Sequence, residues 1–187
     1  MNSMAAALQA LQPYGITHTQ ANRAFRVAVR SHEGQHYGPY SYGYHLRHVI
    51  VTLKDLGFTS EAHRAVAALH DVIEDTPRTA EDIEQRFGKD VAEAVQMLTR
   101  RDDLPLDDYV AGMNELAFAV KLADRYCNLR ALGRMPGQRT RDRDHRLPKY
   151  EGEMRALLRQ AVRLGFVRAA TVVVVELRAA RARLTQG

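Results

Sequence analysis

The densest group of ionisable side chains lies in Ala-Leu-His-Asp-Val-Ile-Glu-Asp-Thr, residues 68–76, where His70, Asp71, Glu74 and Asp75 fall close together. On a helix, His70/Glu74 and Asp71/Asp75 are i, i+4 pairs on neighbouring surface. Carboxylates held this close repel one another unless a cation sits among them. A helix C-terminus also favours positive charge. A bound divalent metal meets both conditions. The competing reading is a core histidine, since His70 shares an apolar stripe with Val66 and Ile73, followed by a solvated acidic helix end. Two further residues could do similar chemistry. Asp124 lies four after Val120 and four before Asn128. An inward-facing Asp is costly unless it is paired or metal-bound, and a buried salt bridge to Arg125 or Arg23 is its alternative. His45 heads a helical pattern carrying Val49 and Leu53 on the same face, which also suits a structural histidine.

The elements that must position these residues read as helices. Ala21, Ala24, Phe25, Ala28 and Val29 recur at helical spacing over 19–30. A Tyr-rich loop over 37–44, interrupted by Gly38, Pro39 and Gly43, precedes a helix from about His45 that Gly57 ends. Ser60 or Thr59 caps a helix running to about Thr76, where Pro77 disfavours its continuation. Thr79 and Asp82 resemble a capping box for a helix that Gly88 stops, and another helix starts at Asp90. Residues 102–108 read as a polar loop and 115–132 as a strong helix. Residues 133–146 form a Gly/Pro/Arg-rich connector, followed by helices over 149–164 and 166–184. The run Val172–Val175 has strand propensity, but no second strand is evident to pair with it, and it reads as buried helix. The expected fold is all-α: one compact helical bundle over 1–187, with its core at about 20–160 and the helices of 149–184 packed on it.

Composition narrows the function. The 187 residues are 45% hydrophobic and 26% charged, an ordinary globular mix that excludes a disordered or collagen-like chain. Cys127 is the one cysteine, so no intrachain disulfide forms, and a cytoplasmic protein is expected. No apolar run is long enough to span a membrane, and residues 1–13 lack the pattern of a signal peptide. The net charge of +5 is unevenly placed: residues 1–133 hold 14 Lys+Arg against 17 Asp+Glu, and residues 134–187 hold 13 against 5. The basic final third could suggest nucleic acid. Its arginines flank apolar helical stripes, however, and read as solvated surface, so no nucleic-acid partner is expected.

Three ordered blocks carry a resemblance. The chain reads Tyr42-Gly43-Tyr44-His45, then Ala68-Leu69-His70-Asp71-Val72-Ile73-Glu74-Asp75-Thr76, then Lys121-Leu122-Ala123-Asp124-Arg125-Tyr126-Cys127-Asn128-Leu129-Arg130. These resemble the motifs of HD-domain metal phosphohydrolases, and within them the RelA/SpoT-type alarmone hydrolases. The Thr79 cap and the Phe87-Gly88 stop also match, and the likeness covers roughly residues 20–160. It implies an HD-domain helical bundle with His45, His70, Asp71 and Asp124 as metal ligands. Such a mixed N/O set suits manganese, iron or zinc, and manganese is the family's usual metal. It implies Glu74 and Asp75 as the pair that positions or deprotonates water. It implies Tyr42, Lys121, Asn128, Arg146 and Tyr150 as substrate-binding residues, Arg146 through its phosphate-binding fork. The implied reaction is removal of the 3′-pyrophosphate from (p)ppGpp.

The chain also departs from the family. Leu46 stands where a proline usually follows the first histidine, and Cys127 stands where many members have histidine. The loop 31–38 carries no Lys or Arg, whereas the family usually has several basic residues there. The substrate could therefore be another nucleotide or a phosphorylated dinucleotide, and a nucleotide-binding regulator without hydrolysis is a further alternative. The length leaves no room for the synthetase and regulatory domains of long RelA/SpoT proteins, so a small, stand-alone hydrolase is expected.

Overall fold

The structure, a computed structural model, describes residues 19–101 and 103–185. The expectation for residues 1–13 lies outside the described residues, as does Asp102. The chain runs through α1 (Gln20–Ser31), a hairpin of β1 (His36–Tyr37) and β2 (Tyr40–Ser41), α2 (Tyr42–Asp55), α3 (Glu61–Leu69), α4 (Val72–Asp75), α5 (Ala80–Phe87), α6 (Lys89–Leu98), α7 (Leu106–Ala111) and α8 (Glu115–Ala131). After a short turn, α9 (Arg139–Arg141), a π-helical turn over Asp142–Arg146 leads directly into α10 (Leu147–Leu164), and α11 (Val167–Thr185) folds back on it.

Two helices form the centre. In α3, Ala65, Val66, Ala67, Ala68 and Leu69 are all buried, and their small side chains let α1, α2, α6 and α8 approach closely. α8 is enclosed by α2, α3, α6, α10 and α11. A helix apolar on most of its circumference belongs inside, and Phe118, Val120, Leu122 and Leu129 are accordingly buried. The caps follow the sequence. Ser60 Oγ accepts the His63 amide at 3.2 Å. Thr79 and Asp82 complete the capping box with two 3.3 Å bonds. Gly165 closes α10 in the left-handed conformation, at φ 76°.

The helical bundle is as expected, with local differences. The Tyr-rich loop holds a two-stranded antiparallel hairpin, pairing His36 with Ser41 and Tyr37 with Tyr40. Gly38 makes its tight turn possible at φ 61°, and a Cβ there would meet Met135 Sδ at 2.7 Å. α2 begins at Tyr42, earlier than expected. α7 occupies the end of what reads as a polar loop, starting just after Pro105. The connector after Gly133 contains helical turns. Val172–Val175 is helical but not buried throughout: Val173 is fully enclosed, whereas Val172 and Val175 are 39% and 59% exposed. The most consequential difference is that the helix expected over 60–76 ends at Leu69 and restarts at Val72.

Candidate metal centre

The break after Leu69 builds the site. In an unbroken helix, neighbouring side chains diverge by about 100°. Here Asp71 adopts φ −103°, ψ 0°, in the bridge region where active-site residues often sit. This turns Asp71 Oδ2 to within 2.9 Å of His70 Nε2. The i, i+4 pairing of His70 with Glu74 is lost, and Glu74 instead accepts the Arg100 amide at 3.0 Å.

Three packed elements then bring four donor atoms together. α2 supplies His45, the α3–α4 corner supplies His70 and Asp71, and α8 supplies Asp124. His45 Nε2 lies 3.3 Å from His70 Nε2, 3.3 Å from Asp124 Oδ1 and 3.8 Å from Asp71 Oδ2. His70 Nε2 lies 3.8 Å from Asp124 Oδ1. Ligands bound at about 2.1 Å in tetrahedral or octahedral geometry sit about 3.0–3.4 Å apart, so these spacings suit one shared cation. The ligand atoms of His45, His70 and Asp124 all lie within 4.8 Å of one another.

The surroundings also suit a cation. His70 Nδ1 lies 2.9 Å from the Ala67 carbonyl. That carbonyl can only accept, so Nδ1 carries the proton and the Nε2 lone pair points into the centre. His45 lacks such a partner: its buried Nδ1 has no hydrogen bond among the described residues. Its ring is held by stacking on Tyr37 at 4.6 Å and by the edge of Tyr42 at 5.6 Å. Without a cation, protons take its place. Burial opposes charge on His70, but Asp71 and Asp124 outweigh it and raise its pKa to about 9. Burial likewise opposes charge on Asp71, yet His70 pulls its pKa down to about 2. Asp124 is also held far below the usual carboxylate range, against burial, by its bond to His45 and the charge of His70. The donors of His45, His70 and Asp124 therefore fit a divalent metal, with Asp71 Oδ2 beside two of them. No thiolate joins them, because the buried Cys127 Sγ faces Thr52 Oγ1 at 3.3 Å and burial pushes its pKa to about 12.

The other expected site residues ring this centre. The Tyr42 hydroxyl donates to Asp71 Oδ2, with Asp75 Oδ2 at 3.4 Å. Burial and the Asp71 charge push its pKa up. Partial desolvation and Asp71 raise the carboxyls of Glu74 and Asp75, both exposed at the rim. Asn128 donates to Asp124 Oδ1 at 2.6 Å and accepts from the Tyr37 hydroxyl at 2.9 Å. A cleft of about 220 Å³ beside the centre is lined by Asp71, Glu74, Lys121, Asp124, Asn128 and Tyr150, among others. Burial lowers the pKa of Lys121, and Arg125 adds to the effect. Arg146 is engaged locally: its guanidinium donates to Gln138 Oε1 at 2.8 Å and pairs with the buried Asp142 at 3.1 Å.

Several residues that line or hold the site carried no clear signal in the sequence. Arg125 does not pair with Asp124 as a buried salt bridge. It pairs with Glu153 at 2.5 Å and lies 4.0 Å from the centre of the Tyr150 ring. Arg100 and Lys149 also line the cleft. Tyr37 lines a second, larger cavity of about 530 Å³ together with His45, Tyr40, Tyr44, Tyr126, Arg130 and Arg134. Only the position of Arg125 inside the third block could have drawn attention to it; the rest join the site through long-range packing.

Residues 24–108 match the HD domain family model. The bifunctional (p)ppGpp synthase/hydrolase SpoT of Escherichia coli K12 is 37% identical over 134 residues, covering 64% of this chain and 19% of that protein. A GTP pyrophosphokinase rsh of Brucella melitensis is 35% identical over 128 residues, covering 61% of this chain and 17% of that protein. The chain thus spans about a fifth of the length of the curated relatives it matches. A solved structure described as a metazoan ortholog of SpoT that hydrolyses ppGpp shares the fold, with TM-score 0.74 and 24% identity over 87% of this chain and 96% of that one. No helix among the described residues is long and apolar enough to cross a membrane. With the histidines and aspartates of three separate motif blocks meeting at one point, the chain is similar to HD-domain proteins over residues 24–108 and, among them, to SpoT-type proteins.

Proposed function

We propose that this chain is a metal-dependent phosphohydrolase that removes the 3′-pyrophosphate of (p)ppGpp, leaving GDP or GTP, and that residues 1–187 act as one cytoplasmic unit. The observation that carries the proposal is the convergence of His45, His70, Asp71 and Asp124 beside Glu74 and Asp75, in a chain 37% identical to a named (p)ppGpp hydrolase over their shared region. The four ligands would hold manganese, with iron or zinc as substitutes. When bound, the cation supplies Lewis acidity, polarising a phosphoryl oxygen and acidifying a water.

The remaining steps belong to the chain. Glu74 and Asp75, both with raised pKa values, accept the water proton; a carboxylate nearer neutrality in pKa is the better base at working pH. Tyr42 donates to Asp71 and so holds that ligand's oxygen in place. Asn128 does the same for Asp124 and meets the nucleotide beside it. Lys121 and Tyr150 line the cleft that would receive the phosphates and sugar. Arg146 would bind phosphate by exchanging its Gln138 bond for a phosphate oxygen. Its ion pair with Asp142 meanwhile keeps the guanidinium in place. Among the late arginines, Arg159, Arg181 and Arg183 are paired with Asp107, Glu151 and Glu176, which supports a substrate that is a small molecule rather than nucleic acid.

One observation favours a second reading. The cavity beyond Tyr37 is walled by tyrosines, with Tyr40 stacked on Tyr44 at 4.2 Å, and the preceding loop has no Lys or Arg. Such a wall accepts any flat base, so another nucleotide or a phosphorylated dinucleotide would also fit. A nucleotide panel with manganese, iron or zinc added back, scored for phosphate against pyrophosphate, decides between them. Pyrophosphate from ppGpp supports the first reading, and turnover of other nucleotides alone supports the second. No turnover of any nucleotide would leave only a binding regulator.

A further inference from the structure

The connector that carries Arg146 is gripped at its start by the last turn of α11. Arg183, half-buried on α11, donates from Nη2 to the Leu129 carbonyl at 2.8 Å and from Nε to the Leu132 carbonyl at 3.3 Å. Both carbonyls lie at the end of α8. A helix leaves its last carbonyls without partners of its own, and an arginine placed there caps them. Glu176, on the same helix as Arg183, accepts from its guanidinium at 2.9 Å and so orients it. The connector grips back. Arg139 donates to the Arg183 carbonyl at 2.7 Å. Gly133, at φ 72°, comes so close to α11 that a Cβ would meet Leu184 Cδ2 at 3.1 Å.

From Gly133 the contacts run on to Arg146. The Gly133 amide donates to Asp142 Oδ2 at 2.9 Å, and Asp142 Oδ1 pairs with Arg146 at 3.1 Å. Asp142 is fully enclosed, and a buried carboxylate is costly unless its partners stay in place. Its amide donates to the Gln138 carbonyl at 2.8 Å, and the Gln138 side chain accepts from Arg146. Arg146 is near enough to the site for its charge to act there. Burial raises the pKa values of the Tyr37 and Tyr150 hydroxyls, and Arg146 is among the charges that offset the rise at both. Arg183 itself lines neither cavity.

We propose that Arg183 is a positioning residue for Arg146: the clasp between α11 and the start of the connector holds the phosphate-binding guanidinium in place, and so sets nucleotide affinity from outside the site. The inference rests on reading Arg146 as a phosphate ligand. It gives the last turn of α11 a part in substrate binding, where its arginines otherwise read as solvated surface. Without Arg183 the end of α8 loses its cap, and Gly133 no longer presents its amide to Asp142 at a fixed point. Asp142 then holds Arg146 less firmly. A phosphate must now order a side chain that the wild-type fold has already ordered, and affinity falls by that cost.

The test reads the clasp and its consequence separately, on manganese-loaded full-length protein. Hydrogen exchange without nucleotide reads the clasp: the Gly133 and Asp142 amides should exchange about tenfold faster in Arg183→Met. Calorimetry with GDP reads the consequence. Arg146→Gln, whose amide can still donate to Asp142, should weaken GDP about 10- to 100-fold, the worth of a hydrogen bond to a charged group. Arg183→Met should weaken it about 3- to 10-fold, the cost of ordering one side chain. The double variant should bind no more weakly than Arg146→Gln, because Arg183 acts only through Arg146. Arg183→Lys keeps the charge without the planar fork and should recover part of the loss. Arg139 is exposed, so Arg139→Ala opens the clasp from the connector side in a folded protein and should shift affinity in the same direction. Arg181→Ala, which loses only the exposed pair with Glu151, should change nothing, and manganese affinity should stay at the wild-type value throughout. Wild-type GDP affinity in both Arg183→Met and Arg139→Ala beside a weakened Arg146→Gln overturns this inference alone, as do additive losses in the double variant. Unchanged GDP affinity in Arg146→Gln refutes the reading of Arg146, and the inference falls with it. The expected exchange and GDP results without pyrophosphate release from ppGpp refute only the proposed reaction.

Discussion

Removing the Tyr37 hydroxyl should weaken a metal site to which the residue contributes no ligand atom. Its ring lies 4.6 Å from that of His45, nearly parallel at 16°. Its hydroxyl donates to Asn128 at 2.9 Å, and Asn128 donates to Asp124 at 2.6 Å. One side chain thus steadies two of the expected ligands by different means. Tyr37→Phe deletes only the hydrogen bond, worth about 0.5–1.5 kcal/mol net, and leaves the stack. Part of that energy reaches Asp124 through Asn128, so manganese affinity should fall by about 2- to 5-fold. Tyr37→Ala also deletes the aromatic contact, worth about 0.5–1.5 kcal/mol more. His45 then has no hydrogen bond at Nδ1 and keeps only the edge contacts of Tyr42 and His70. The total loss should be about 10- to 100-fold, the range usual for groups that orient metal ligands. Equilibrium dialysis against manganese gives the constants, and circular dichroism confirms the fold of each variant. Wild-type affinity in Tyr37→Ala, or equal losses in the two variants, would refute the separation of stack from hydrogen bond.

Further outcomes follow from the same geometry. Asp71→Ala and Asp124→Ala should each lose both metal and hydrolysis, read by metal analysis and pyrophosphate release; activity in metal-free Asp71→Ala protein would overturn the ligand assignment. Glu74→Gln should keep the metal but lose about 100- to 10,000-fold in rate, the usual worth of a positioned base; a metal-depleted Glu74→Gln would instead make Glu74 a ligand. His70 in the metal-free protein has its pKa raised to about 9 from 6.5. The folded state therefore holds a proton that the unfolded chain gives up, and this stabilisation is complete below pH 6.5 and lost as pH rises through 9. Urea midpoints of metal-free protein should fall across that window, and manganese should abolish the fall; a flat profile in the metal-free protein would contradict the protonated centre. Glu153→Gln leaves Arg125 buried without its counter-charge and should cost about 3–5 kcal/mol, seen as a lower melting temperature; an unchanged melting temperature would show that the pair is not structurally required.

The sequence by itself determined the donor types and the local elements that carry them. His70-Asp71 and its following acids, Asp124 on a strong helix and His45 on an apolar face are all visible in one dimension, because helical periodicity is a local property of 3.6 residues per turn. The Thr79 capping box and the Gly57 and Gly88 stops are local for the same reason. What only the tertiary structure decided depends on contacts between distant segments. His45 and His70 are 25 positions apart, and they meet because small residues in α3 let α2 and α8 pack closely around it. The turn at Asp71 runs against the local helical pattern and has a purpose only in the assembled site, where it aims two consecutive side chains at one point. Arg125 was legible as a charge beside Asp124, but its partner Glu153 arrives from α10. Arg146 was legible through the family resemblance as a phosphate-binding candidate, but its anchoring by the buried Asp142 is visible only in the fold. A charged side chain's partner is set by which carboxylate is desolvated beside it, and desolvation is a property of the packed fold rather than of the chain.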